Sequence, residues 1–216
     1  MEGVYDTITK NIRDTDSRTE RANRPKAKRF YEAHIIPKLE DRLGSKCTNI
    51  IWVDYNLIDK LQSKGIDGYF EFADGTKIEF QEKTHLTTTL SDTERWNPIR
   101  KGPAFAAELV NHGGKMGWTQ HLNNVHLLFI FYKSDVVVIG NKDLSTLSQI
   151  ADYCKGIYKL WSETKSYIRQ NIEYSGITYT LRPVSERGVD SKTILINLAQ
   201  TTIEKDMKCG VKTYKY

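Results

Sequence analysis

Gly65-Ile66-Asp67-Gly68-Tyr69-Phe70-Glu71-Phe72-Ala73-Asp74-Gly75-Thr76-Lys77-Ile78-Glu79-Phe80-Gln81-Glu82-Lys83 carries the strongest local signal in the chain. Two alternating apolar and polar runs flank Asp74-Gly75, and that arrangement predicts a β-hairpin. A three-residue loop, Ala73-Asp74-Gly75, puts Gly75 in the left-handed conformation that glycine adopts at little cost. Phe72 then faces Thr76, Phe70 faces Ile78 and Gly68 faces Phe80. The opposite face pairs Glu71 with Lys77, Tyr69 with Glu79 and Asp67 with Gln81, and Gly65 lies opposite Lys83. A slip of one residue would invert every side chain. A two-residue turn would instead set Asp67 opposite Glu82. The three-residue loop is preferred because it places opposite charges across from each other. It also gathers Asp67, Gln81 and Lys83 on one polar face.

An Asp at the end of one strand, followed by an acid-x-Lys on the next, is the signature of the PD-(D/E)XK nuclease superfamily. The chain resembles it at Asp67 and at Gln81-Glu82-Lys83. With Gln in the acid position, it is most similar to the Mrr-like restriction endonucleases. The broader group of Holliday junction resolvases and phage exonucleases is also similar. The resemblance rests on a short motif covering about a tenth of the chain. It implies an α/β, restriction-endonuclease-like core, with a central mixed β-sheet flanked by helices.

The resemblance also implies a chemistry. Phosphodiester hydrolysis uses a hard divalent cation held by oxygen ligands, here Mg²⁺ with Mn²⁺ able to substitute. Such an ion activates a water and offsets charge building on the phosphate. By the resemblance Asp67 is the anionic ligand and Gln81 offers a neutral carbonyl oxygen. Lys83 orients the water and stabilises developing charge. Gln in place of an acid removes one negative charge, so Glu32, Glu79 and Glu82 are candidates to compensate. PD-(D/E)XK folds often carry a helical Glu before the hairpin, and Glu32 resembles it. That makes Asp67, Gln81 and Glu32 the candidate metal ligands. The plain alternative for Asp67 and Lys83 is a solvated hairpin face, and for Glu32 an ion pair with Lys28 or Arg29.

The remaining composition narrows the partners. The formal net charge is +5 over 216 residues, which suits a polyanion. Between residues 18 and 29 six basic residues stand against the single acid Glu20. Such a segment either contacts phosphates, with salt-sensitive affinity, or is a solvated arm. Arg24, Lys26, Arg29, Lys64, Arg95, Arg100 and Lys101 are the candidate nucleic-acid contacts, with DNA the expected partner. Trp96 either stacks on a base or packs. No apolar run approaches the roughly 20 residues of a membrane span. Cys47, Cys154 and Cys209 are odd in number and widely spaced, as expected of thiols in a reducing, cytoplasmic setting. His112, His121 and His126 fit no standard zinc-finger spacing. A homodimer would accord with cutting both strands.

The chain reads as a basic extension, 1–25, and a single nuclease domain, 26–216. A helix is expected over 26–43, with Ile35, Ile36, Leu39 and Leu43 facing a core and Pro37 kinking it. Glu32 is placed on the side of that stripe. Ile50-Val53 reads as a buried strand and Leu57-Gln62 as a helical turn. Phe105-Val110 reads as a strand or short helix, and by the resemblance Glu108 is a candidate accessory acid. His126-Tyr132 and Asp135-Ile139 read as core strands. Residues 143–170 read as mostly helical with Asp143 as cap, 177–181 and 193–198 as strands, and 199–216 as a polar tail with a helical turn.

Overall fold

The computed structural model describes residues 23–53, 64–85, 103–111, 113–186 and 189–215. Arg95, Trp96, Arg100, Lys101, His112 and the segment Leu57-Gln62 lie outside them. So does the basic arm before residue 23. The protein is mixed α/β, with a mixed sheet and flanking helices. Its contacts divide into two compact units, 1–59 with 68–77 and 60–67 with 78–216.

The first unit opens with helix α1 (23–30), which runs through a π-helical turn, Tyr31–Ile35, into α2 (Ile36–Leu43). Pro37 explains the widened turn. It has no N–H for the carbonyl of Ala33, and its ring crowds that carbonyl. The Ile36 N–H reaches back five residues to Tyr31 O. The change of period moves the apolar stripe. Ala27, Phe30, Tyr31, Ile35 and Leu39 are buried, whereas Ile36 and Leu43 are only half-buried. Gly44, at φ 63°, ends the helix with its N–H on Glu40 O. Strand β1 (Cys47–Trp52) pairs antiparallel with β2 (Gly68–Phe72), Ile50 facing Phe70 and Trp52 facing Gly68. The Tyr31 ring meets Phe70 edge-on at 5.2 Å. β1 is not the buried strand its apolar run predicts, since Ile51 is 36% exposed.

The second unit holds two sheets. In the first, β3 (Lys77–His85) lies beside β5 (Leu127–Tyr132), then β6 (Asp135–Gly140) and β10 (Gly210–Lys215). β3 and β5 are parallel and the other neighbours antiparallel. A parallel pair needs a long crossover. Here it contains β4 (Ala104–Val110) and the 3₁₀ helix Trp118–Asn124. Every residue of β5 is buried, as expected of a strand covered on both faces.

The second sheet is antiparallel throughout, in the order β4, β9 (Val189–Ala199), β8 (Ile177–Glu186), β7 (Gln170–Tyr174). Helix α3 (Ser148–Thr164) packs on the 3₁₀ helix, β4 and β7 through Ile150, Cys154, Ile157 and Trp161. It is shorter than the helix expected over 143–170. Asp143 accepts from the N–H and hydroxyl of Ser145, closing a turn ahead of the helix rather than capping it. Ile168, within the span expected to be helical, lies beyond the helix and is 72% exposed. The expected polar tail forms α4 (Gln200–Lys205) and β10. Among the described residues no helix is long and apolar enough to cross a membrane.

Candidate active site

The hairpin turn has the three-residue form. Gly75 sits at φ 86° and donates to Phe72 O, and the Phe72 N–H meets Thr76 O at 3.0 Å. The Asp74 carboxylate accepts the Thr76 N–H. Glu71 and Lys77 pair at 3.4 Å, as that register requires.

Were the register unbroken as far as Glu82, the Glu82 N–H would meet Ile66 O. Instead Asp67 Oδ2 accepts it at 2.7 Å, while the Asp67 N–H donates to Phe80 O at 3.0 Å. The carboxylate has taken the place of a backbone acceptor. Asp67 is therefore held on β3 at the residue between Gln81 and Lys83, by a charge-assisted hydrogen bond. The square Asp67–Gln81 pairing expected from the turn is replaced by this tighter attachment.

Gln81 is 2% exposed, and among the described residues its Oε1 has no hydrogen-bond partner. Leaving a buried carbonyl oxygen unsatisfied costs about 1–3 kcal/mol. Strand alternation puts Glu79, Gln81, Lys83 and His85 on one face of β3. Leu128, Ile130 and Tyr132 on β5 stand directly beside Gln81, Lys83 and His85. His85 stacks on Tyr132 at 5.5 Å. The Lys83 ammonium lies 5.1 Å over the Trp118 ring. Burial lowers the pKa of both His85 and His121, and the Lys83 charge lowers each further. The Lys83 ammonium thus lies over an indole, and its charge reaches two imidazoles whose neutral form is favoured.

Two glycines allow this arrangement. Gly65, at φ 69°, has no room for a side chain because a Cβ there would overlap His121. Gly117 donates to Leu109 O, and a Cβ on it would overlap Glu108 O. Trp118 follows immediately, and the Thr119 hydroxyl donates to Glu108 O at 3.2 Å. Nothing local in the sequence joins Trp118 or His121 to Lys83. Beside Gln81, Glu79 Oε2 is 2.8 Å from His126 Nδ1, and that nitrogen also accepts the Glu79 N–H at 3.1 Å.

Other expected site residues fall elsewhere. Glu32 belongs to the first unit and is exposed, 3.7 Å from the Lys28 ammonium. The π-turn rotates it away from the buried stripe where the sequence placed it, and the ion-pair reading holds. Arg24, also in that unit, donates to Val53 O and lies 5.8 Å over the Trp52 ring. Arg29 and Lys64 are exposed, and Lys26 is half-buried. Lys64 O accepts from Asn124 Nδ2. Glu82 contributes its backbone N–H to Asp67, and Glu108 its carbonyl to Thr119.

The donors at this site are oxygens, which suit a hard cation. Gln81 Oε1 is buried without a hydrogen-bond partner among the described residues, and the Asp67 carboxylate is held on the backbone N–H of the next residue, Glu82. Both groups are oxygen donors of the kind a hard divalent ion takes. Among the described residues no cluster of three His, Cys, Asp or Glu can hold a metal. An ion here would keep several waters, as Mg²⁺ commonly does. The chain matches no family model, no curated protein and no solved structure.

Proposed function

We propose that the protein is a metal-dependent nuclease that hydrolyses phosphodiester bonds in DNA, acting as an endonuclease of restriction-like fold. The observation that carries this reading is the buried Gln81 carbonyl, without a hydrogen-bond partner among the described residues, next along β3 to the Glu82 N–H that holds Asp67. Asp67 and Gln81 would hold Mg²⁺ or Mn²⁺, and the bound ion supplies the activated water and charge neutralisation. Lys83, one alternation further along β3, orients that water and stabilises charge on the phosphate. The crossover from β3 to a parallel neighbour also supports the restriction-endonuclease-like plan. The test is cleavage of supercoiled plasmid and single-stranded DNA with Mg²⁺ or Mn²⁺, wild type beside Asp67→Ala and Lys83→Ala. Activity lost in both variants supports the assignment. Activity retained in both overturns it.

A second reading is favoured by one observation. Gln81 is neutral, and among the described residues no second carboxylate completes a metal-holding cluster with Asp67. A nuclease-fold module that binds nucleic acid without cutting would tolerate this. Salt-dependent DNA binding with no cleavage in either metal would favour it. The free thiols fit a reducing compartment, and burial pushes Cys154 up to about 12 and Cys209 up to about 11, away from reactive thiolates.

A further inference from the structure

We propose that Trp118, with His85 and His121, forms a nucleobase-binding wall beside Lys83, so that the substrate is single-stranded or locally unpaired at the point of attack. This rests on the nuclease reading of Asp67, Gln81 and Lys83.

A site that grips only a phosphodiester backbone gathers several cations and polar donors around it. Among the described residues Lys83 has a different setting. Its ammonium faces the Trp118 ring at 5.1 Å, and both His85 and His121 feel its charge. His85 is stacked against Tyr132, which fixes the plane of its ring. His121 is fixed from behind by the Gly65 backbone, which admits no Cβ. Trp118 is half-buried, so part of its indole stays open to solvent. It is anchored by the Gly117 and Thr119 bonds to β4.

Flat, largely neutral rings held in fixed positions suit the π-face of a base, and stacking of this kind tolerates any sequence. A base lies one sugar away from the phosphate that Lys83 would contact. In an intact duplex that base is paired and stacked inside the helix, out of reach of such a wall. An unpaired nucleotide can turn its base onto it.

The test uses a fluorescein-labelled single-stranded oligodeoxynucleotide and a blunt duplex of the same sequence. Binding is read by anisotropy in Ca²⁺ and cleavage in Mg²⁺ or Mn²⁺. Wild type, Trp118→Ala, Trp118→Phe and Asp67→Asn are compared, with thermal melting to establish that each is folded. Wild type should bind and cut the single strand about tenfold better than the duplex. Trp118→Ala should remove that preference, and Trp118→Phe should restore most of it. Cleavage that depends on Asp67 but treats both substrates alike, or a preference that survives in Trp118→Ala, overturns the inference and leaves the nuclease reading intact. Single-strand binding that depends on Trp118 without any cleavage sustains the wall and sinks the nuclease reading. Absence of binding to either probe overturns both.

Discussion

Asp67 Oδ2 accepts the backbone N–H of Glu82 at 2.7 Å, in the place where a strand carbonyl would otherwise stand. One carboxylate therefore has a structural task and a proposed chemical one, and two substitutions separate them. Asp67→Asn keeps an oxygen that can accept the same N–H but loses the charge. Asp67→Ala loses both and leaves a half-buried donor unsatisfied. The Asn variant should melt close to wild type and lose metal-dependent cleavage. The Ala variant should be less stable by roughly 1–2 kcal/mol, as well as inactive. Denaturant titration beside a cleavage assay checks both. Equal stability of the two variants would show that the Glu82 bond contributes little.

Gln81 should display the opposite relation between stability and function. Its Oε1 is buried without a partner among the described residues, so the metal-free protein bears the cost of desolvating it. Gln81→Met fills similar space without the polar atoms. It should leave stability unchanged or raise it by about 1 kcal/mol. Mg²⁺ or Mn²⁺ should raise the melting temperature of wild type, because an ion that binds only the folded state stabilises it. That shift should vanish in Gln81→Met. A metal-induced shift of equal size in the variant would remove Gln81 from the ligand set.

The contrast between Gln81 and the other candidates shows what the sequence discloses. The hairpin and its register are legible because Asp74-Gly75 interrupts a clean period of two, and Gly75 occupies the left-handed position that the pattern requires. The strands Leu127–Tyr132 and Asp135–Gly140 are legible as apolar runs. β7 and β10 are edge strands with mixed, polar faces, and their hydropathy resembles a tail or loop. The Ser175-Gly176 pair, with both φ angles positive, is a local hairpin signal that ties β7 to β8. Glu32 misleads because the widened turn before Pro37 breaks the helical period on which its placement depended. The grouping of Trp118 and His121 with Lys83 comes from a crossover, and no local pattern encodes it.

The histidines beside Lys83 make stability depend on pH. Burial first, and the Lys83 charge second, lower the pKa of His85 and of His121 below the ordinary value near 6.5. The unfolded chain then binds more protons than the folded one just below that value. Stability is full above about pH 6.5 and is lost as pH falls through the lowered folded values. His85→Phe, which keeps a ring against Tyr132, should flatten this acid-side loss. Melting temperature followed from neutral pH downward reads the effect. A His85→Phe curve parallel to wild type would show that His85 does not contribute to it.

Gly65 offers the sharpest test of the geometry behind Asp67. Its φ of 69° favours glycine, and a Cβ there would overlap the His121 side chain. Gly65→Ala therefore meets two penalties. The left-handed backbone costs an L-residue about 1–2 kcal/mol, and overpacking typically adds about 1–3 kcal/mol. Relief requires moving either His121 or the backbone that leads, two residues later, into Asp67. Cleavage should fall more steeply than stability alone explains, since a small misplacement of a reacting group is costly. His121→Gly, which removes the overlapped atoms, should restore part of both losses in the double variant. Comparison of the two single variants with the double variant measures that coupling. Strict additivity would mean that the strain lies wholly in the Gly65 backbone and never reaches His121.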